Sequence, residues 1–226
     1  MTADTLVAEP RFRCWLPRGV YRPQADTGLL RRALLRDGIM SGTEVLDLGT
    51  GSGALAVAAA RLGARVTAVD ISWRAVAAAR CNALLNRQTV RVLHGDLASA
   101  VPGRRYDLVI SNPPYVPAPD RAAPRGAARA WDAGADGRMV VDRVCDTAPA
   151  VLHPAGTLLM VHSHLCGTDD TLARLTGAGL RAEVVERARV PFGPVLRSRL
   201  GWLRERGRLA VDATTEELVV IRAEHP

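Results

Sequence analysis

The chain predicts an α/β fold built on a mainly parallel sheet. From Thr43 onward, short β-branched runs alternate with Ala-rich helical runs, the pattern of repeated strand–helix–strand units. A glycine-bearing turn separates the first strand from the first of those helices. The length of 226 residues suits one well-buried domain rather than two.

Residues 26–36 form an amphipathic helix, preceded by an arm bearing Pro and Arg. Residues 44–48 are the first strand, and residues 53–62 a helix of small residues that can pack closely. Residues 65–69 give the second strand, and Ser72 is the N-cap of a helix reaching about residue 85. Residues 89–93 and 106–111 are the third and fourth strands. A helix over 139–152, a fifth strand over 157–162 and a helix over 169–177 follow. The last two strands are 181–190 and 217–222. Between them, residues 191–209 are too long for a tight hairpin and predict a short helix over 195–204. Residues 117–137, rich in Pro, Ala, Arg and Gly, read as a mobile loop. Irregular segments of this length are often functional, and both are expected at or near the active face.

A hydrophobic fraction of 48% suits a globular protein, and no apolar run reaches membrane-spanning length. Met1 to Pro10 carries Asp4 and Glu9 and lacks a basic region followed by an apolar core, so it does not read as a signal peptide. Cys14, Cys81, Cys145 and Cys166 are widely spaced, which suggests neither a zinc site nor a disulfide framework. A cytoplasmic location is the default expectation. The net charge of +7 comes from 30 basic residues, all of them arginine. With abundant Ala, Gly and Val, that points to a GC-rich codon bias before a dedicated polyanion surface. The charge can still aid approach to an acidic macromolecule such as the ribosome or its factors.

Asp47-Leu48-Gly49-Thr50-Gly51-Ser52-Gly53 joins the first strand to its helix. Glycine lets the backbone turn tightly and lets a ligand lie against it without a Cβ in the way. The following helix start offers free N–H groups to an anionic group. A dinucleotide fingerprint is Gly-x-Gly-x-x-Gly, whereas here the spacing is Gly49-x-Gly51-x-Gly53. The shorter spacing suits S-adenosylmethionine, whose charged methionine end replaces a bulky pyrophosphate. Asp70, closing the second strand, stands where ribose hydroxyls need an acceptor. At the end of the third strand His94-Gly95-Asp96-Leu97 supplies Asp96 for the adenine amino group, and Asp47 can hold the methionine ammonium directly or through water.

At the carboxyl end of the fourth strand stands Asn112-Pro113-Pro114-Tyr115. Ligands sit at such strand ends in open α/β sheets. The prolines fix φ and remove backbone donors, so the tip shows mainly acceptors. The Asn112 side-chain oxygen and the Pro113 carbonyl can each accept one N–H of a planar nitrogen and aim its lone pair at a sulfonium methyl. Tyr115 can stack on the planar group. Together the turn and the tip predict methyl transfer to nitrogen.

These strings resemble a class I S-adenosylmethionine-dependent methyltransferase, and more narrowly the HemK family of protein-(glutamine-N5) methyltransferases. The likeness extends to Val20-Tyr21-Arg22-Pro23-Gln24-Ala25-Asp26-Thr27, similar to the family's Tyr-x-Pro-x-x-Asp-Thr segment. It also takes in Trp131-Asp132-Ala133-Gly134-Ala135-Asp136-Gly137-Arg138 and the end, Glu216-Glu217-Leu218-Val219-Val220-Ile221-Arg222. Ala133 interrupts the Gly-Gly pair usual in that loop, which implies a differently shaped loop.

The resemblance implies a Rossmann-like fold with a seven-stranded, mostly parallel sheet and helices on both faces. It divides residues 1–226 into an N-terminal arm and helix (1–42), a cofactor-binding core (43–190), and an insertion with the final strand (191–226). It implies that Thr27, Asp47, Gly49, Asp70, Asp96, Leu97 and Asn112 touch the cofactor. The tip Asn112, Pro113, Pro114 and Tyr115 then faces the substrate, a glutamine amide in a protein such as a peptide-chain release factor, and Trp131 is a further substrate-binding candidate. Only about forty residues precede the cofactor strand, as in the short form that works with a small zinc-binding activator protein.

Three alternatives stay open on the residues alone. The same tip serves N6-adenine methylation of DNA or RNA, for which the insertion with Arg197, Arg199, Arg204, Arg206 and Arg208 is the one candidate recognition segment. A small natural product is a second acceptor class, and a regulatory module that binds S-adenosylmethionine without turnover is the third. His162 and His164 lack a third ligand at suitable spacing and read as satisfied or exposed histidines. Cys166 reads as a small buried hydrophobe. Trp131 either caps the substrate channel or pins its loop. Tyr21 and Pro23 either close over the cofactor or pack the arm for stability.

Overall fold

The computed structural model describes residues 12–119 and 124–226. Met1 to Pro10 and part of the 117–137 loop therefore lie outside the described residues. Helix α1 (Ala25–Arg36) leads into β1 (Glu44–Leu48), α2 (Ala54–Arg61), β2 (Arg65–Asp70), α3 (Trp73–Leu85), β3 (Val90–His94) and β4 (Tyr106–Ser111). After a long loop come α4 (Val141–Val151), β5 (Leu152–Ser163), α5 (Thr168–Gly177), β6 (Arg181–Pro191), α6 (Pro194–Ser198), α7 (Leu200–Glu205) and β7 (Thr215–Glu224).

The strands make one seven-stranded sheet in the order β3-β2-β1-β4-β5-β7-β6. The first five are parallel, while β7 runs antiparallel to both β5 and β6. The chain winds outward from β1 to β3, then restarts at β4 and winds the other way. Right-handed crossovers consequently place α2 and α3 on one face and α4 and α5 on the other. The central strands are apolar runs buried on both sides: Val45, Leu46 and Leu48 in β1, Val109 and Ile110 in β4, and Leu158 to Val161 in β5. The reversal between β1 and β4 leaves a crevice at their carboxyl ends, where such sheets bind ligands.

Ser72 is the N-cap residue of α3 as expected, although its side chain makes no cap bond and its amide N–H donates to Asp70 Oδ1 at 2.8 Å. Three local predictions need correction. Helix α4 starts two residues later than expected because Met139 N–H bonds back to Ala133 O and closes a turn. Strand β5 starts earlier, since Leu152 pairs with Tyr106 across a register shift. The helix expected over 195–204 is broken into α6 and α7 at Arg199, whose side chain is drawn to the 117–132 loop.

Candidate active site

A cavity of about 270 Å³ opens over the carboxyl ends of β1, β2 and β4. Its floor is the glycine turn. Gly49 and Thr50 both donate their N–H to Val69 O, at 2.9 and 3.0 Å, which ties the turn to β2. Gly49, Gly51 and Gly53 have φ of 72°, 54° and 78°, the left-handed region that side chains disfavour. Their surroundings differ. A Cβ on Gly49 would meet nothing, and one on Gly51 only Gly49 O at 4.0 Å, so both would project into free space on the cavity wall. A Cβ on Gly53 would meet Ala79 Cα at 2.9 Å, and Gly53 does not line the cavity. Its glycine serves the close approach of α2 to α3.

Asp70 closes the turn from β2. Its Oδ2 accepts the Gly51 N–H at 2.9 Å, and burial pushes its carboxyl above the usual carboxylate range. Asp47 lies beneath the turn, 1% exposed and outside the cavity lining. Its Oδ2 accepts from the Thr50 hydroxyl at 2.6 Å, and its Oδ1 has no hydrogen-bond partner among the described residues. Burial raises its pKa to about 7. Asp96 and Leu97 line the far wall, where Asp96 pairs with Arg143 at 2.7 Å on a half-exposed surface. Leu97 sits at φ 48°, a strained setting for a leucine and one that clusters at ligand sites.

The tip stands opposite. Asn112, Pro113, Pro114 and Tyr115 all line the cavity. Asn112 Nδ2 donates to Thr27 Oγ1 at 3.4 Å, bringing the first turn of α1 to the end of β4. Among the described residues neither the Asn112 side-chain oxygen nor the Pro113 carbonyl receives a hydrogen bond, so both acceptors stay open. Tyr115 is fixed at both ends: its hydroxyl donates to Asp26 Oδ2 at 3.0 Å and its carbonyl accepts from Cys166 Sγ at 2.9 Å. Buried Cys166 thereby has a defined partner, and burial pushes its thiol up, away from reactivity.

The loop carrying Trp131 forms the outer wall. Val116 N–H donates to Trp131 O at 2.8 Å and Ala133 N–H to Val116 O at 3.1 Å, so Trp131 is pinned and also lines the cavity. Arg199 of the insertion holds this wall from behind. It donates to Pro117 O at 2.9 Å and pairs with Asp132 at 2.7 Å, a contact whose angles fall short of a hydrogen bond. Buried His162 is held neutral, its pKa lowered to about 4 by burial. His164 Nδ1 meets Thr168 Oγ1 at 3.0 Å. Among the described residues no group of three His, Cys, Asp or Glu side chains could hold a metal ion.

Of the residues expected at the site, the structure brings Thr27, Gly49, Gly51, Asp70, Asp96, Leu97, the tip and Trp131 onto one cavity, with Asp47 and Gly53 behind it. Tyr21 and Pro23, for which the sequence left two roles open, also line it, and the structure adds Asp26 and Arg143, which sequence reasoning did not assign. Asp26 stood inside the Tyr-x-Pro-x-x-Asp-Thr string, but nothing local marks it as buried beside the tip.

The description "Methyltransferase small domain" matches residues 22–125. With the sheet order, it places the chain among class I S-adenosylmethionine-dependent methyltransferases. A provisionally named protein N5-glutamine methyltransferase of Methanocaldococcus jannaschii is 34% identical, over 76% of this chain and 87% of its own. The release factor glutamine methyltransferase of Bordetella pertussis is 42% identical over 72% of this chain and 63% of its own. Several other bacterial relatives are about twice the length of the matched segment. Among solved structures, the E. cuniculi Mtq2–Trm112 complex, described as responsible for methylating the eRF1 termination factor, aligns with a TM-score of 0.64. It is 25% identical over 92% of this chain and 99% of the other. The chain belongs to the HemK-type family of protein-(glutamine-N5) methyltransferases.

Proposed function

We propose that the protein methylates a glutamine side-chain amide in a peptide-chain release factor, with S-adenosylmethionine as donor. The names of its relatives support the substrate class. The pair of open acceptors at Asn112 and Pro113 carries the chemistry.

The cavity fits the donor. Gly49 and Gly51 leave a wall that any Cβ would obstruct, and Asp70 and Asp96 line it with carboxylates suited to a cationic ligand. Asp47 adds a buried carboxyl with one partnerless oxygen under the turn, whose charge a nearby ammonium would favour. Thr27, Gly49, Gly51, Asp70, Asp96 and Leu97 would hold the donor, with Asp47 and Gly53 supporting the turn from below. When bound, it supplies an electrophilic methyl group on a sulfonium.

The chain's own part is orientation. Thr27 anchors the Asn112 amide nitrogen, leaving the amide oxygen to accept one N–H of the substrate glutamine while the Pro113 carbonyl accepts the other. Two acceptors in fixed positions hold the amide nitrogen with its lone pair toward the donor. Tyr115 and Trp131 close around the planar group and keep water out.

The nucleic-acid alternative loses its recognition segment in part. Arg199, Arg204 and Arg208 of the insertion each donate to a backbone carbonyl, of Pro117, Ala213 and Leu165. A small activator protein belongs among the proposed partners, a reading supported by the solved structure of Mtq2 in complex with a second protein, Trm112, and a cytoplasmic location goes with a translation-factor substrate. The test is incubation with radiolabelled donor and three acceptors, with and without such an activator: release factor, nucleic acid, and small molecules from a cell extract. Label in release factor, removed by changing its acceptor glutamine, is the expected result. Label confined to nucleic acid or to small molecules refutes the substrate.

A further inference from the structure

One carboxylate at the cavity is committed entirely to protein partners. Asp26, in the first turn of α1, is 3% exposed. Its Oδ1 accepts from the Thr27 N–H at 2.6 Å and the Thr27 hydroxyl at 3.2 Å. Its Oδ2 accepts two phenolic hydroxyls, from Tyr21 at 2.8 Å and Tyr115 at 3.0 Å. Gln24 Nε2 donates to the Tyr21 oxygen at 3.0 Å, which leaves the Tyr21 proton committed to Asp26. Burial and the Asp26 charge push both tyrosines above their usual range, so both stay protonated donors.

Burying a carboxylate is costly unless its hydrogen bonds achieve something an apolar side chain would not. Here they join three parts of the cavity wall. Tyr21 belongs to the N-terminal arm, Tyr115 to the tip 89 residues from Asp26, and Thr27 is the anchor of Asn112. Two phenol rings meeting on one oxygen cannot move independently.

We propose that Asp26 is a positioning residue for methyl transfer: it sets Tyr115 against the acceptor and Tyr21 over the donor through one shared oxygen. This rests on the function proposed above. The arm then covers the donor, and the tip ring is correctly placed, through the same group.

Two double-mutant cycles test it, each with its own readout. In the first, Asp26→Asn and Tyr21→Phe are measured by affinity for S-adenosylhomocysteine. Each should weaken binding about fivefold, and the double variant no more than the worse single. In the second, Asp26→Asn and Tyr115→Phe are measured by turnover of the glutamine substrate. Each should lower kcat about tenfold with KM within about twofold, again without adding. A merely structural role would instead give additive losses that follow the fall in thermal stability. Should Asp26→Asn fail to fold, the Tyr21→Phe and Tyr115→Phe pair keeps the carboxylate, and a cycle between them should still be non-additive. Additive effects overturn the inference. Failure of the wild-type protein to bind S-adenosylhomocysteine overturns the proposed function, and this inference with it.

Discussion

The amide nitrogen of Asn112 donates to the Thr27 hydroxyl at 3.4 Å, joining the end of β4 to the start of α1. That contact decides which half of the Asn112 amide is left for a ligand. Asn112→Ala should lower methyl transfer at least a hundredfold, the scale seen when an oriented polar group is lost. Affinity for S-adenosylhomocysteine should stay within about tenfold, since the glycine turn and Asp70 remain. Calorimetry and a labelled-methyl assay on the same preparation check both halves, and full activity in the variant refutes the role of the tip.

Gly51 and Gly53 belong to one turn yet should respond to alanine in opposite ways. Gly53→Ala drives a Cβ into Ala79 at a φ of 78°. Overpacking and left-handed strain together should cost about 3 kcal/mol in urea unfolding. Gly51→Ala meets no protein atom closer than 4.0 Å, so its stability cost should be about 1 kcal/mol of backbone strain. Its Cβ would occupy the donor wall, and donor affinity should fall about tenfold or more. Equal loss of stability in the two variants contradicts this division.

Glu216, at the start of β7, is 8% exposed, and burial raises its pKa from 4.5 to about 7, against the pull of the Ser163 hydroxyl. The folded state therefore keeps a proton that the unfolded chain has released. Stability falls as pH rises through that window, by up to about 3 kcal/mol for this group. Glu216→Gln should melt with the wild type at pH about 4 and roughly 5 °C above it at pH about 8. Asp47, raised to about 7 by its own burial, should leave part of the slope in the variant. A Glu216→Gln protein with the wild-type melting point at both pH values sinks the prediction.

The parts legible in the sequence are those whose chemistry is local. The glycine spacing, Asp70 one strand later and the Asn-Pro-Pro-Tyr string each sit within a few residues of a strand end, where β–α periodicity fixes their direction. Gly53 shows the limit: spacing cannot tell a glycine that admits a ligand from one that admits Ala79 of a neighbouring helix. Asp26 shows another, because its partner Tyr115 is 89 residues away and only the fold brings the two together. The break between α6 and α7 was hidden for the same reason. A helical run over 195–204 reads as continuous until Arg199 is seen to reach Pro117, 82 residues back.

That reach ties the insertion to the active site. Arg199 is 17% exposed, and its partner Asp132, on the cavity wall, 15%. Arg199→Ala would leave Asp132 and the Pro117 carbonyl without their cation, at a cost of about 1–3 kcal/mol. The wall so loosened carries Trp131 and, on the proposed function, would face the acceptor, whereas the donor would rest on the glycine turn. KM for the protein substrate should therefore rise about fivefold while donor affinity stays within about twofold. Arg199→Lys can restore the charge but not both contacts at once, since a single ammonium lacks the planar fork, and should recover stability more than KM. If the alanine variant keeps wild-type KM despite the lost stability, the insertion buttresses the fold without shaping the substrate wall.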